Sequence, residues 1–444
     1  MFGARTVEGR FRRLRSVADA ALVALLFAVP WVRVGGEPLV LLDVPARRFH
    51  VLGLVIFPQE LYFLWLILAG LALALFFFTT LFGRVWCGWA CPQTVFTDVF
   101  AALARRIEGW RGSGPPARIA LWRKVAKHGV LLLASVVVGF HVVGYFRSPY
   151  ELLPALLAGQ VSGASVGFLA ATSLLSYADF VLVRQTFCKY LCPYARFQSV
   201  LFDRDTLVVG YDERRGEPRG KRGKVAGDCI DCGLCVAVCP TDIDIRKGLQ
   251  LECIACTQCI DACDGVMEHL GRAPNLIGYR SLVSLTGERE ARLLRPRVAL
   301  YGALLAAVGV GFAVLLEARL PMDLQVTHNR EALAGRSGDG RLGNAFVLRI
   351  ENRDRAPHAF SLALAEPGFE LVAGVNPIPV AATSAVEARV FVLAAAGTLP
   401  APDAPLTFVL ERAGGAEGGR VVRAARFLDA GAAAPGGGHG DAQR

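Results

Sequence analysis

Two stretches decide how the chain is read: Cys229-Ile-Asp-Cys232-Gly-Leu-Cys235-Val-Ala-Val-Cys239-Pro240, and Cys253-Ile-Ala-Cys256-Thr-Gln-Cys259-Ile-Asp-Ala-Cys263. Each has the spacing C-x2-C-x2-C-x3-C. The short gaps let three thiolates of one tight loop cap three corners of an iron–sulfur cube, while the fourth points away and closes a second cube. The spacing therefore predicts a bacterial ferredoxin-like domain with two [4Fe-4S] clusters. Cys229, Cys232, Cys235 and Cys263 are expected on one cluster, and Cys253, Cys256, Cys259 and Cys239 on the other. Zinc also accepts four cysteines, but zinc modules rarely interlock two such runs. Pro240 is the proline usual after the fourth cysteine, whereas Asp264 takes that place in the second run. Ile230, Val236, Val238, Ile254 and Ile260 offer apolar packing that would limit solvent access and tune potential.

Outward from these runs the chain is apolar. Its 444 residues are 54% hydrophobic and 19% charged, against about 25% charged in soluble domains. A span needs about 20 apolar residues. Leu61–Phe82, Gly129–Phe146, Val161–Val183 and Val298–Leu316 qualify, and Val17–Val34 is a weaker fifth run with Asp19 and Arg33 at its ends. A cleaved signal peptide is the alternative for Val17–Val34, but no convincing small-residue cleavage site follows. Basic residues alternate between the loops: five Arg in 1–16 and eight Lys plus Arg in 83–128, against two in 35–60 and one in 147–160. By the positive-inside rule the N-terminus and the loops after spans two and four are cytoplasmic, and the chain beyond span five is on the far side. The twelve cysteines all lie at or before Cys263, which is not how a disulfide-stapled secreted chain distributes them.

The other four cysteines form a repeat at the exits of spans two and four: Trp86-Cys87-Gly-Trp-Ala-Cys91-Pro92 and Phe187-Cys188-Lys-Tyr-Leu-Cys192-Pro193. On a continuous helix, residues four apart share a face, so each pair is expected to present two sulfurs together. The parallel second and fourth spans bring both pairs to one depth. Four such thiols suit a soft ion such as Cu(I), a third cluster, or dithiol–disulfide cycling. Buried inert cysteine is the bland alternative, which two matched copies disfavour. Gly159, Gly163 and Gly167 share one face of span four and are expected to admit a neighbouring helix. His128 and His141 lie too far apart along one helix to hold one haem together, although His50 is at a depth near His141.

The remainder divides simply. The polar insert 184–297 holds the ferredoxin-like domain and follows residues 1–183 with spans one to four; 298–316 is span five. Residues 317–430 carry short alternating runs at Ala345–Glu351, His358–Ala365, Ala385–Leu393, Pro405–Arg412 and Arg420–Phe427, which read as an all-β Ig-like sandwich. The Gly/Ala/Pro-rich tail 431–444 reads as disordered. No nucleotide-binding glycine motif, Walker motif, zinc-protease motif or nucleophile elbow is present. The net charge of +10 fits basic loops at a membrane, and the run Arg214, Arg215, Arg219, Lys221, Arg222 and Lys224 is expected in solvent or against headgroups, not on nucleic acid.

The order of parts resembles the CcoG/FixG (Rdx) cytochrome c oxidase accessory proteins over nearly the whole chain. The resemblance rests on Phe82-Gly-Arg-Val-Trp-Cys-Gly-Trp-Ala-Cys-Pro-Gln-Thr94, Cys188-Lys-Tyr-Leu-Cys-Pro-Tyr-Ala-Arg-Phe-Gln198, Asp203-Arg-Asp-Thr206, Tyr211-Asp-Glu-Arg-Arg-Gly-Glu-Pro-Arg219, Gly227-Asp-Cys-Ile-Asp-Cys232 and Asp244-Ile-Arg-Lys-Gly-Leu-Gln250. It departs around Val326-Thr-His-Asn-Arg330 and in the tail. The resemblance implies a multi-pass protein of the bacterial inner membrane, with a cytoplasmic ferredoxin part and a periplasmic Ig-like end. It also implies reduction of Cu(II) to Cu(I) for assembly of cbb3-type oxidases; with that activity, electrons are expected to pass from a cytoplasmic donor through the clusters to Cu(II) held by Cys87, Cys91, Cys188 and Cys192. Two other readings stay open: an electron conduit of the NapH or NosR kind between a quinol and a redox partner, and a non-catalytic assembly scaffold.

Overall fold

The computed structural model describes residues 4–110, 118–220, 227–329, 335–336, 341–395, 401, 403–414 and 419–428. Lys221, Arg222, Lys224, Arg330 and the tail 431–444 lie outside them. The chain forms two compact units, residues 1–313 and 314–444.

Among the described residues five helices are long and apolar enough to cross a membrane: Arg10–Trp31, Pro58–Phe82, Leu121–Gly144, Gly163–Val183 and Pro296–Glu317, with mean hydropathy between 1.6 and 2.5. The first is longer than its apolar run predicts, because basic residues continue the helix toward the N-terminus. Arg12 and Arg15 each reach Asp98 Oδ2 at 2.9 Å, on the amphipathic helix Pro92–Glu108 that follows the first cysteine pair. This ion pairing compensates charges that hydropathy alone would place in water. Spans three and four meet through Gly139, where a Cβ would collide with Ser173 Oγ. The close approach expected at Gly159, Gly163 and Gly167 is not made there: Gly159 lies in a turn before the helix, which starts at Gly163, and among the described residues nothing lies within 4 Å of a Cβ built on any of the three. The loop between spans one and two folds into a three-stranded antiparallel sheet, Val40–Asp43, Arg48–Val51 and Leu54–Ile56.

The insert after span four is closed by the antiparallel pair Val208–Tyr211 and Ile277–Arg280. Between these strands lie the two cysteine runs, the second continuing into the helix Gln258–His269. Val209, Ile245, Ile260, Met267, Leu276 and Ile277 form the apolar core around them. Asp261 on that helix caps span one: its carboxylate oxygens accept from the backbone N–H groups of Phe11 (3.1 Å) and Arg12 (2.7 Å). A carboxylate belongs at the positive end of a helix, where N–H groups lack partners. Gly9 makes the approach possible, since any Cβ there would overlap Asp261. The insert is thereby clamped onto the first span. Arg215, expected on a solvated or headgroup-facing run, instead brackets the insert, donating to Asp228 Oδ2 and to the carbonyls of Ala273 and Pro274.

The second unit is a two-sheet β-sandwich. One sheet has the order Phe369–Ala373, Ser384–Ala394, Leu342–Asn352, Met322–His328; the other Ile378–Val380, His358–Leu364, Ala404–Arg412, Arg420–Phe427. All described pairings are antiparallel. Phe346, Leu348, Ile350, Val392, Leu406, Phe408 and Leu410 fill the interior. Five of its strands match the predicted runs to within a few residues. Outside the predicted runs lie Met322–His328, Gly335–Arg336, Phe369–Ala373 and Ile378–Val380.

Candidate metal centre

Both cysteine runs use the same unusual backbone. In the first, Asp231 and Gly233 have φ of +56° and +67°; in the second, Ala255 and Thr257 have +53° and +64°. These are equivalent positions, one before and one after the middle cysteine. Left-handed residues turn successive backbone N–H groups to one side, which makes a concavity suited to anionic sulfur. Three of the four are not glycine, and holding such residues left-handed costs about 1–3 kcal/mol each. The same strain in both loops follows from what they must wrap.

The side chains follow suit. One cavity is lined by Cys229, Cys232, Cys235 and Cys263. A second is lined by Cys239, Cys253, Cys256 and Cys259, with Cys235 also reaching its wall. Burial pushes the Cys235 thiol up to about 11 and those of Cys253 and Cys263 up to about 12. Buried thiols of this kind stay protonated alone and ionise when a metal takes the sulfur. Four convergent thiols on each cavity, walled by Ile230, Leu234, Ile243 and Ile254, fit a [4Fe-4S] cube in charge and ligand type.

The other four cysteines also converge, but not as a helical face. Cys87 sits in the short helix Val85–Trp89, while Cys91 is extended (φ −66°, ψ 125°) ahead of the helix Pro92–Glu108. Cys188 sits in the π-helical turn Phe187–Leu191, while Cys192 is extended (φ −69°, ψ 115°) ahead of the helix Pro193–Leu201. The expectation of two sulfurs on one continuous helix is therefore corrected. Proline sterically pushes the residue before it out of the helical region, so each C-P pair ends one helix and starts another. The Cys91 N–H donates to Trp86 O and the Cys192 N–H to Phe187 O, both at 2.9 Å. The repeat extends upstream: Gly83 (φ 58°, ψ −125°) and Arg184 (φ 54°, ψ −133°) make the same turn four residues before Cys87 and Cys188.

Contacts join the two copies to each other and to the second cysteine run. Gln93 Nε2 donates to Asp179 Oδ1 (3.0 Å) and to Arg184 O (3.2 Å). Cys87, Ile254 and Cys256 are buried together, with Cys188 and Tyr194 packed against them. Gly88 lies so close to the second run that a Cβ would stand 2.5 Å from Ile254 O and 2.6 Å from Ala255 O. Arg84 Nη1 donates to Cys253 O at 3.3 Å, and the buried Gln198 amide lies between its guanidinium and Cys87 Sγ, 3.8 Å from the sulfur. Burial pushes Cys87 and Cys188 up to about 12; Arg84 draws Cys87 partly back, and neighbouring thiols oppose ionisation of both. Among the described residues no three His, Cys, Asp or Glu side chains stand in single-ion geometry, so a single metal ion here would have to draw the thiols together.

Arg84, Gly88, Tyr194 and Gln198 stand in the quoted motifs, but sequence reasoning gave them no role at the site. Their signal was position, since all lie in or beside the repeated cysteine motif. The histidines do not converge: His128 Nδ1 meets Tyr177 OH (2.6 Å), His141 Nδ1 meets Val137 O (2.8 Å), and His50 pairs with Glu37 (3.4 Å).

Fold and site define a class: a multi-pass membrane protein that carries an iron–sulfur electron-transfer domain with two [4Fe-4S] clusters and ends in an Ig-like domain. Family models match three parts of the chain. One described as a 4Fe-4S binding domain matches residues 62–111, a 4Fe-4S dicluster domain matches 183–282, and the IG-like fold at the C-terminal of FixG matches 312–429. The chain is 39% identical to protein RdxA of Cereibacter sphaeroides, across 94% of this chain and 95% of RdxA. It is 35% identical to the nitrogen fixation protein FixG of Rhizobium meliloti, across 81% and 78%. The ferredoxin-type protein NapH of Haemophilus influenzae is 26% identical across 45% of this chain and 66% of NapH. The chain belongs to the FixG/Rdx family.

Proposed function

We propose that the protein reduces Cu(II) to Cu(I) at Cys87, Cys91, Cys188 and Cys192, supplying Cu(I) for assembly of a cbb3-type oxidase. The observation that carries this reading is the packing of Cys87 and Cys188 against Ile254 and Cys256, on the loop of the second cysteine run. Cys229, Cys232, Cys235 and Cys263 hold one cluster; Cys253, Cys256, Cys259 and Cys239 hold the other. When bound, the clusters supply one-electron redox chemistry. A reduced donor on the cytoplasmic side loses one electron for each Cu(II) converted to Cu(I). The protein's own contribution is a dry, sulfur-rich site. Thiolates favour the softer Cu(I), so binding the product there makes the reduction easier. Arg84 holds the first motif against the second run and offsets charge beside Cys87.

The orientation proposed has the N-terminus and the insert in the cytoplasm and the Ig-like domain in the periplasm, because the basic loops flank the insert side. Domain limits follow the same reading: 1–183, 184–297, 298–316 and 317–430. Replacing Cys91 and Cys192 with Ser tests the site. Cu(II) reduction should fall to background while iron and sulfide per chain are unchanged, and retained turnover refutes the assignment. Similarity to NapH favours one alternative, an electron conduit that carries electrons from a quinol to a redox partner. Quinol oxidation without Cu(II) reduction by the purified protein would establish that reading instead.

A further inference from the structure

Beside the second cysteine run lies a polar cavity of about 230 Å³ that the redox reading does not use. Three separate stretches build it: the N-terminal stretch with Arg5 and, in the first turn of span one, Arg12; the amphipathic helix with Asp98 and Arg105; and the exit of span four with Arg184 and Lys189. Pro240 and Asp242, just after Cys239, and Gln258, just before Cys259, complete the wall. Five cations thus face two carboxylates. Asp98 is already committed to Arg12 and Arg15, at 2.9 Å each, so the cavity keeps an excess of positive charge.

Arg184 provides a second, independent observation. The equivalent turn at the exit of span two is made by Gly83, at φ 58° and ψ −125°. Arg184 makes it at φ 54° and ψ −133°, a region L side chains rarely adopt. Glycine would make this turn without strain, yet the position carries a guanidinium that lines the cavity. Burial lowers the pKa of both Arg105 and Arg184, and Arg105 adds repulsion to Arg184, which Asp242 and Asp98 offset only in part. A bound anion would relieve that repulsion.

We propose that this cavity binds a phosphate group at the membrane edge, beside the second cysteine run. Guanidinium forks match phosphate oxygens in geometry and charge. The cavity is built on the ends of spans one and four, where an anionic phospholipid headgroup lies within reach. A soluble phosphorylated compound presents the same chemistry, and the experiment separates the two sources.

Full-length, cluster-loaded protein is placed in phosphatidylcholine nanodiscs with and without phosphatidylglycerol. Native mass spectrometry counts the phosphatidylglycerol retained, and calorimetry measures binding of inorganic pyrophosphate. The wild type should hold at least one of these probes. The double variant Arg105→Gln/Arg184→Gly should weaken that binding by roughly 10- to 100-fold, as expected for lost hydrogen bonds to charged groups. The control Arg13→Gln/Lys124→Gln removes two exposed cations outside the cavity and should shift binding by less than about twofold, as screened surface charges do. Retained phosphatidylglycerol that pyrophosphate does not displace assigns the lipid; displacement by pyrophosphate assigns the soluble source. Unchanged iron content shows that the variants are folded. Should the double variant lose its clusters, Arg184→Gly alone serves, because it relaxes the backbone while removing a cavity cation. The proposal is overturned if the wild type holds neither probe, or if the control weakens binding as much as the cavity variant.

Discussion

The two compact units of this protein are held together by different physics. The Ig-like unit has a continuous apolar interior, with Phe346, Leu348, Ile350, Val392, Leu406, Phe408 and Leu410 all 0% exposed. The insert in the first unit has a smaller core, into which its cysteines themselves are packed. Its loops carry left-handed Asp231, Ala255 and Thr257, a strain that persists only where surrounding structure over-determines it. The comparison teaches where order originates: apolar burial sustains one unit, and sulfur–metal bonds supply what the core of the other lacks.

Removing iron is the strongest way to break this comparison. Chelation under air should unfold the ferredoxin-like insert, seen as loss of protease protection over 203–282, while the Ig-like unit keeps its near-ultraviolet and β-sheet dichroism. Phe346→Ala should do the reverse, destabilising the Ig-like unit by about 3–5 kcal/mol while leaving the visible cluster spectrum unchanged; urea unfolding followed by both signals measures this. Gly88→Ala puts a methyl group against Ile254 O and Ala255 O. It should cost about 1–3 kcal/mol by overpacking and slow copper reduction at constant iron content, as steady-state rates would show. Asp261→Ala removes the cap on span one and should cost about 0.5–2 kcal/mol, read as faster amide exchange at Phe11 and Arg12 with the clusters retained. Smallest is Arg184→Gly: relief of the left-handed strain should raise stability by up to about 1 kcal/mol, in a thermal melt of the cluster absorbance.

Much of this architecture could be read from residues alone. Hydropathy located five spans, because a bilayer demands length and apolarity that few other structures share. Alternation located five strands of the sandwich. Ile378–Val380 escaped because three residues with a proline carry almost no periodicity, and Phe369–Ala373 is a short strand with no fully buried residue. The cysteine spacing is legible because cube geometry fixes it locally. What stayed hidden depends on contacts distant in sequence. Asp261 caps Phe11 from 250 residues away, and Gly88 meets Ile254 and Ala255 across another long stretch of chain. The break at each cysteine pair was legible in Pro92 and Pro193, yet the four-residue spacing suggested an unbroken helix.

The central claim is that Cu(II) held by the four thiols at the ends of spans two and four is reduced to Cu(I) by electrons from the clusters. Stopped-flow mixing of dithionite-reduced, desalted protein with Cu(II) tests it most directly. The wild type should reoxidise its clusters with matching formation of Cu(I), while Cys91→Ser/Cys192→Ser, loaded with the same iron, keeps its clusters reduced. Cluster reoxidation by Cu(II) at the wild-type rate in that variant would contradict the account.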